Sequence, residues 1–157
     1  MIEYAAIVLA AGKGTRMKSN RCKVLHEIAG RPMIAYVLDA ARAAGVDRIC
    51  VVVGHQADSV KQSLQGEKLI FEHQEPQLGT GHAVDSARNA FSDFNGRILV
   101  LCGDIPLVKS STLRSMIDFH ESAQARITVM TALVENPQGY GRIKRSEQGL
   151  VPRTLDT

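Results

Sequence analysis

A chain of 157 residues, 45% of them hydrophobic and 22% charged, can bury one core and leaves little room for a second full domain. Its net charge of +3 is mild, and the basic residues are scattered without interleaved aromatics; that argues against a nucleic-acid surface and suits a phosphate-bearing small substrate. No apolar run approaches the roughly 20 residues that span a bilayer, and the amino terminus carries no basic leader, so no membrane partner is expected and the cytoplasm is the expected location.

Tyr4 to Ala10 is a near-continuous apolar run, the pattern of a strand buried on both faces. A Gly-rich polar loop follows, from Ala11 to about Lys23. Pro32 opens a helix running to Ala44, with Met33, Ile34, Val37, Leu38 and Ala41 on its apolar face and Gly45 as its stop. Ile49 to Val53 reads as a second buried strand, Ala57 to Leu64 as a short helix and Lys68 to Glu72 as a third strand. A second Gly-containing loop, Gln74 to Gly81, leads into a helix ending near Phe91. Arg97 to Cys102 is a fourth apolar strand, closed by Gly103-Asp104. Ser110 or Ser111 is expected to cap a helix reaching Ser122, and Arg126 to Val134 to form a fifth strand before a Gly139-Tyr140-Gly141 loop.

Apolar strands alternating with amphipathic helices predict an α/β fold: a three-layer, Rossmann-like, mostly parallel sheet with helices on both faces. In such sheets ligands bind beyond the carboxyl ends of the strands. Both Gly-rich loops and the Gly103-Asp104 pair fall at those ends. The three cysteines, Cys22, Cys50 and Cys102, are far apart and form no C-x-x-C pair, which argues against disulfides and a thiolate metal site. Cys50 and Cys102 read as small core residues within strands. The five histidines show no metal-ligand spacing, and His26 and His82 read as structural.

The first loop reads Leu9-Ala10-Ala11-Gly12-Lys13-Gly14-Thr15-Arg16-Met17. Its glycines and small residues let backbone N–H groups approach a phosphate closely. The spacing of a Walker A loop is absent. A dinucleotide fingerprint would place a third glycine where Met17 stands, so a NAD-binding domain is disfavoured. The cations Lys13 and Arg16 suit a triphosphate better than a dinucleotide.

This loop, followed by Lys23-Val24-Leu25-His26 and Gly30, resembles the signature of the nucleotidyltransferases that make activated sugars. Within them it is most similar to the bacterial N-acetylglucosamine-1-phosphate uridylyltransferases. Gln77-Leu78-Gly79-Thr80-Gly81-His82-Ala83, Gly103-Asp104-Ile105-Pro106-Leu107 and Gly139-Tyr140-Gly141-Arg142 carry the same resemblance, which spans Ala6 to Ile143. It implies that residues 1–157 are part of a pyrophosphorylase (nucleotidyltransferase) domain. The hexapeptide repeats of the acetyltransferase β-helix that follows it in bifunctional members are absent from this sequence.

The resemblance also implies roles. N-acetylglucosamine 1-phosphate would attack the α-phosphorus of UTP, giving UDP-N-acetylglucosamine and pyrophosphate. Leu9, Ala10, Ala11 and Gly12 would hold the nucleotide through backbone groups. Arg16 and Lys23 would be catalytic, stabilising phosphate charge. Asp104 would hold Mg²⁺ as a hard oxygen ligand. Gln74, Gly79 and Thr80 would read uracil, with backbone at Ala11 and Gly12 completing that edge and Thr80 also placed to cap the helix behind it. Gly103 and Gly141 would admit ribose and sugar, and Asp156 stands where the family has a sugar-contacting Glu. A related cytidylyl- or guanylyltransferase is an alternative, as is a nucleotide-binding module without turnover. No oligomeric state is implied, although edge strands of a shortened sheet are open to self-association. One departure concerns Cys22, where the family has proline; its replacement is expected to loosen the approach to Lys23 and to place a thiol of lowered pKa in a cationic loop.

Overall fold

The computed structural model describes residues 2–12, 14, 17–136, 138–139, 141–144 and 153–155. It divides into two compact units, residues 1–124 and residues 125–157. The elements of the first unit run β1 (Tyr4–Ala10), β2 (Glu27–Ile28), β3 (Arg31–Pro32), α1 (Met33–Ala43), β4 (Arg48–Val53), α2 (Ala57–Ser63), β5 (Ile70–His73), α3 (Thr80–Ser86), β6 (Arg97–Cys102) and α4 (Ser110–Ser122).

Four strands form a sheet in the order β5-β4-β1-β6, and every pairing in it is parallel. Such sheets are buried on both faces, which is why β1 and, after Arg48, β4 are apolar. Alternate residues feed two cores. Ala6, Val8 and Ala10 of β1 meet Val51 and Val53 of β4, Ile34, Val37 and Leu38 of α1, and Leu113 and Ile117 of α4. On the other face Ala5 and Ile7, with Cys50 and Val52, are covered by Ala83 and Ala87 and by Phe91 of a 3-10 turn over Arg88–Phe91. The expected three layers are therefore present. Gly45 has a φ of +88°, and its N–H donates to Arg42 O at 2.8 Å, so the glycine ends α1 as its position suggests. No helix among the described residues is long and apolar enough to cross a membrane.

Two expected caps are corrected. The N-cap of α4 is Lys109, with Ser110 already helical, and the N-cap of α3 is Gly79, with Thr80 inside the first turn. Neither helix has a side-chain cap. At Gly79 a φ of +96° sets the entry, so backbone geometry rather than a hydroxyl fixes where α3 begins.

In the second unit β7 (Arg142–Lys144) pairs antiparallel with β8 (Arg153–Leu155). The strand expected over 126–134 is not formed. Among the described residues the β7–β8 ladder is the only one in this unit, and Ile127 and Leu133 are exposed. The β-branched run reads like a strand, but that propensity reports fit to a half-buried pleated surface, which these residues lack.

Candidate nucleotide site

Beyond the carboxyl ends of β1 and β6 lies a cleft of about 440 Å³. Its floor is the end of β1 and the loop after it: Leu9, Ala10, Ala11, Gly12, Gly14 and Met17. Gly79, Thr80 and Ala83 at the start of α3 form one wall. Lys23, Val24, Cys102 and Asp104 form another. A smaller cavity of about 320 Å³ lies at the opposite end of the sheet, lined by Asp47–Ile49 and Lys68–Ile70. Its guanidinium, on Arg48, is already committed to Ala90 O at 2.6 Å and Asp93 at 2.7 Å. The carboxyl-end cleft is the one of the two where glycine-containing loop backbone and two opposite charges converge.

Lys23 and Asp104, 81 residues apart in sequence, meet there as an ion pair between Nζ and Oδ2. Lys23 starts a 3-10 turn (Lys23–Leu25) whose Val24 and Leu25 are buried, so the turn is anchored on its apolar side. Asp104 follows β6, and Gly103 N donates to Leu9 O at 2.9 Å, extending the β1–β6 ladder to the edge of the cleft. A Cβ on Gly103 would stand 3.0 Å from Leu9 O, a tight contact that a glycine avoids.

Gly12 is different. A Cβ there would meet nothing within 4 Å, and its φ lies outside the left-handed region. Neither packing nor backbone strain requires a glycine at 12; the open space in front of its backbone is available to a ligand. Gly14 combines both constraints that Gly12 lacks: its φ is +61°, and a Cβ would stand 2.8 Å from Lys23 Cβ. Gly14 thus sets where Lys23 leaves the chain.

Of the expected site residues, Leu9, Ala10, Ala11, Gly12, Lys23, Gly79, Thr80 and Asp104 line this one cleft. Gln74 is 4% exposed and sits behind it; its Nε2 donates to Gly79 O at 2.9 Å and lies 3.2 Å from His82 Nδ1. Gly103 is buried beneath the cleft. Gly141 belongs to the second unit. Arg16 and Asp156 lie outside the described residues. Sequence reasoning missed Gln77, whose Nε2 donates to Ala11 O at 2.7 Å, although it stood within a quoted motif.

Both outer cysteines depart from expectation. Cys102 is exposed in the cleft rather than buried, because the outer face of β6 is left uncovered at the sheet edge: Ile98 and Val100 on that face are 42% and 48% exposed. Cys22 is buried, 1% exposed, and burial pushes its thiol pKa up, against the weaker opposing effect of the Val24 and Lys23 N–H groups. It is therefore not an activated thiol. Its φ of −53° lies within the range of proline, so the approach to Lys23 keeps a proline-like path without the ring.

The donor set fits a hard divalent cation in one respect. Asp104 offers a carboxylate at the cleft, where one or two carboxylates plus substrate phosphate oxygens suffice for Mg²⁺. Among the described residues no cluster of three or more His, Cys, Asp or Glu occurs; a cation held at Asp104 would draw further ligands from substrate phosphate oxygens.

The family model of the MobA-like NTP transferase domain matches residues 6–142. The chain is 54% identical over 157 residues to the bifunctional protein GlmU of Geobacter metallireducens, covering 99% of this chain and 33% of that protein. It spans about a third of the length of the curated relatives it matches. Among solved structures it is similar to a nucleotidyl transferase from Methanothermobacter, with a TM-score of 0.64, 30% identity, and 74% of this chain and 57% of that one covered. It is also similar to Rv0371c of Mycobacterium tuberculosis in complex with manganese, with a TM-score of 0.59, 27% identity, and 76% and 60% covered.

Proposed function

Since the chain belongs to the MobA-like NTP transferase domain family, we propose that its cleft serves uridylyl transfer from UTP to N-acetylglucosamine 1-phosphate, with Mg²⁺ as the cation. The observation that carries this reading is the meeting of Lys23 and Asp104 across a floor of open backbone at Ala11 and Gly12. A cation and a carboxylate beside a glycine-containing loop backbone together suit a triphosphate and its metal.

In the reaction a phosphate oxygen of the sugar phosphate forms a new bond to the α-phosphorus of UTP. The bond from that phosphorus to the α–β bridging oxygen breaks, and its electron pair leaves with pyrophosphate. The attacking phosphate is already ionised near neutrality, so no strong general base is needed. Catalysis then rests on positioning and charge neutralisation. Bound Mg²⁺ would neutralise triphosphate charge, with Asp104 and phosphate oxygens as its ligands. Lys23, released from Asp104 as phosphate enters, neutralises oxygens around the reacting phosphorus. Arg16 is assigned a similar role on the leaving phosphates. Gly12 and Gly14 let the loop backbone approach those phosphates. Gly79 and Thr80 form the wall against which uracil rests, and Gln74 braces Gly79 from behind. Gly141 and Asp156 are assigned to the sugar.

Incubation with UTP, N-acetylglucosamine 1-phosphate and Mg²⁺, followed by phosphorus NMR, tests this reading. The expected result is paired appearance of pyrophosphate and a nucleoside diphosphate sugar, lost in Lys23→Ala. Faster turnover with CTP or GTP than with UTP would assign the site to another base, and nucleotide binding without pyrophosphate release would reduce it to a binding module.

A further inference from the structure

The uridine-nucleotide reading of the cleft leaves one cross-loop contact without a role. Gln77 does not line the cleft, yet its Nε2 donates to Ala11 O at 2.7 Å and so ties the loop before α3 to the loop after β1. The contact has a seat made for it. Gly54 follows β4, and a Cβ there would stand 2.7 Å from Gln77 Nε2, 2.9 Å from Ala11 Cβ and 3.0 Å from Ala11 O. Its φ lies outside the left-handed region, so the backbone alone does not demand glycine; the space occupied by the Gln77–Ala11 pair does. The Gln77 loop is braced at two further points, where Gln74 N donates to Val53 O at 2.8 Å and Gln74 Nε2 to Gly79 O at 2.9 Å. Gln77 is thus the extension of a held loop toward the cleft floor.

The consequence follows from peptide geometry. The Ala11–Gly12 bond is trans, and in a trans peptide the carbonyl and the following N–H point in opposite directions. With Ala11 O turned to Gln77, the Gly12 N–H is turned away from it. Ala11 and Gly12 line the cleft and Gln77 does not. We infer that Gln77 is a positioning residue that locks the Ala11–Gly12 peptide so that its N–H is presented to the nucleotide. This rests on the uridylyl reading for the identity of the ligand, not for the geometry of the latch.

Two variants reach the latch from opposite sides. Gln77→Leu removes the donor at similar volume; Gly54→Ala leaves Gln77 chemically intact but puts a methyl group into its seat. UTP affinity measured by calorimetry with Mg²⁺ should fall about tenfold in each, because a small misplacement of a binding group is costly. The double variant should be little worse than either single one, since both remove one contact. The unfolding temperature of the free protein should stay close to that of the unaltered chain in Gln77→Leu, which separates positioning from loss of fold. In the free protein the Gly12 amide resonance should shift and broaden in both variants as the Ala11–Gly12 peptide samples other orientations, with no nucleotide needed. If the unaltered chain binds no UTP, the uridylyl reading fails and the Gly12 resonance alone decides the latch. If it binds UTP and Gln77→Leu changes neither affinity nor the Gly12 resonance, the latch is overturned and the uridylyl reading stands.

Discussion

Cys22 and Lys23 are neighbours in sequence, yet one side chain is 1% exposed and the other lines the cleft. The difference predicts a labelling pattern. Cys102 is exposed as a residue, but partial desolvation of its sulfur by the surrounding protein and the adjacent Asp104 raise its thiol pKa, outweighing Lys23. A raised thiol pKa means little thiolate near pH 7, and thiolate is the reactive form. Iodoacetamide should therefore modify Cys102 slowly at pH 7 and faster toward pH 9. Cys22 and Cys50 should stay unmodified until the protein unfolds, with Cys50 held at a pKa of about 11. Bound nucleotide should slow modification of Cys102, and mass spectrometry of the labelled peptides reads all three sites. Rapid labelling of Cys22 in the native protein would show that its burial has been misjudged. At Gly14 the φ of +61° and the 2.8 Å approach to Lys23 Cβ make Gly14→Ala doubly unfavourable. A left-handed alanine costs about 1–2 kcal/mol, which chemical denaturation would detect, and the displaced Lys23 should weaken nucleotide binding as well. Cys22→Pro tests the opposite case: with φ already at −53°, the ring should be accommodated and stability should rise by about 0.5 kcal/mol through the unfolded state. A fall in the urea midpoint would mean that the buried thiol is needed.

At the scale of elements, β1, α1, β4 and β6 were legible because each is long and has a clear pattern. A run such as Ile49–Val53 is apolar on every residue, as only a strand covered on both faces can be, and α1 repeats its apolar face and ends on Gly45. Cap positions were less legible, because Ser110 and Thr80 are good caps by type but the chain turns into each helix one residue earlier. Residues 126–134 do not form the expected strand, since β-branched and apolar residue types say nothing about whether a partner strand is present. The outward position of Cys102 was hidden for a related reason: apolar character in β6 does not reveal that one of its faces is left uncovered. In the site, Lys23 and Asp104 could be named from motifs, but their pairing depends on the β1–β6 register, which brings Leu9 opposite Cys102. The role of Gln77 required knowing that Gly54 leaves room for it. Packing between elements gives its own prediction. Leu113 of α4 is fully buried in the core shared with α1 and β4, so Leu113→Ala should cost about 3 kcal/mol in urea unfolding. A loss below about 1 kcal/mol would mean that α4 is not docked as described.

For the molecule as a whole, the parallel sheet of residues 1–124 delivers two strand ends, a Gly-rich loop and a helix start to one cleft. A cleft that serves uridylyl transfer should select uridine triphosphate over other nucleotides. Thermal unfolding in the presence of UTP, CTP, GTP or ATP, each with Mg²⁺, measures that selectivity. Ligand at about 100 times its Kd stabilises the native state by roughly 2.7 kcal/mol, a shift that is easily seen. The unfolding temperature should rise with UTP well above its value with the other three, and that rise should be lost in Asp104→Ala. Equal shifts with all four nucleotides, no shift with any, or a UTP shift that survives Asp104→Ala would contradict the uridylyl reading.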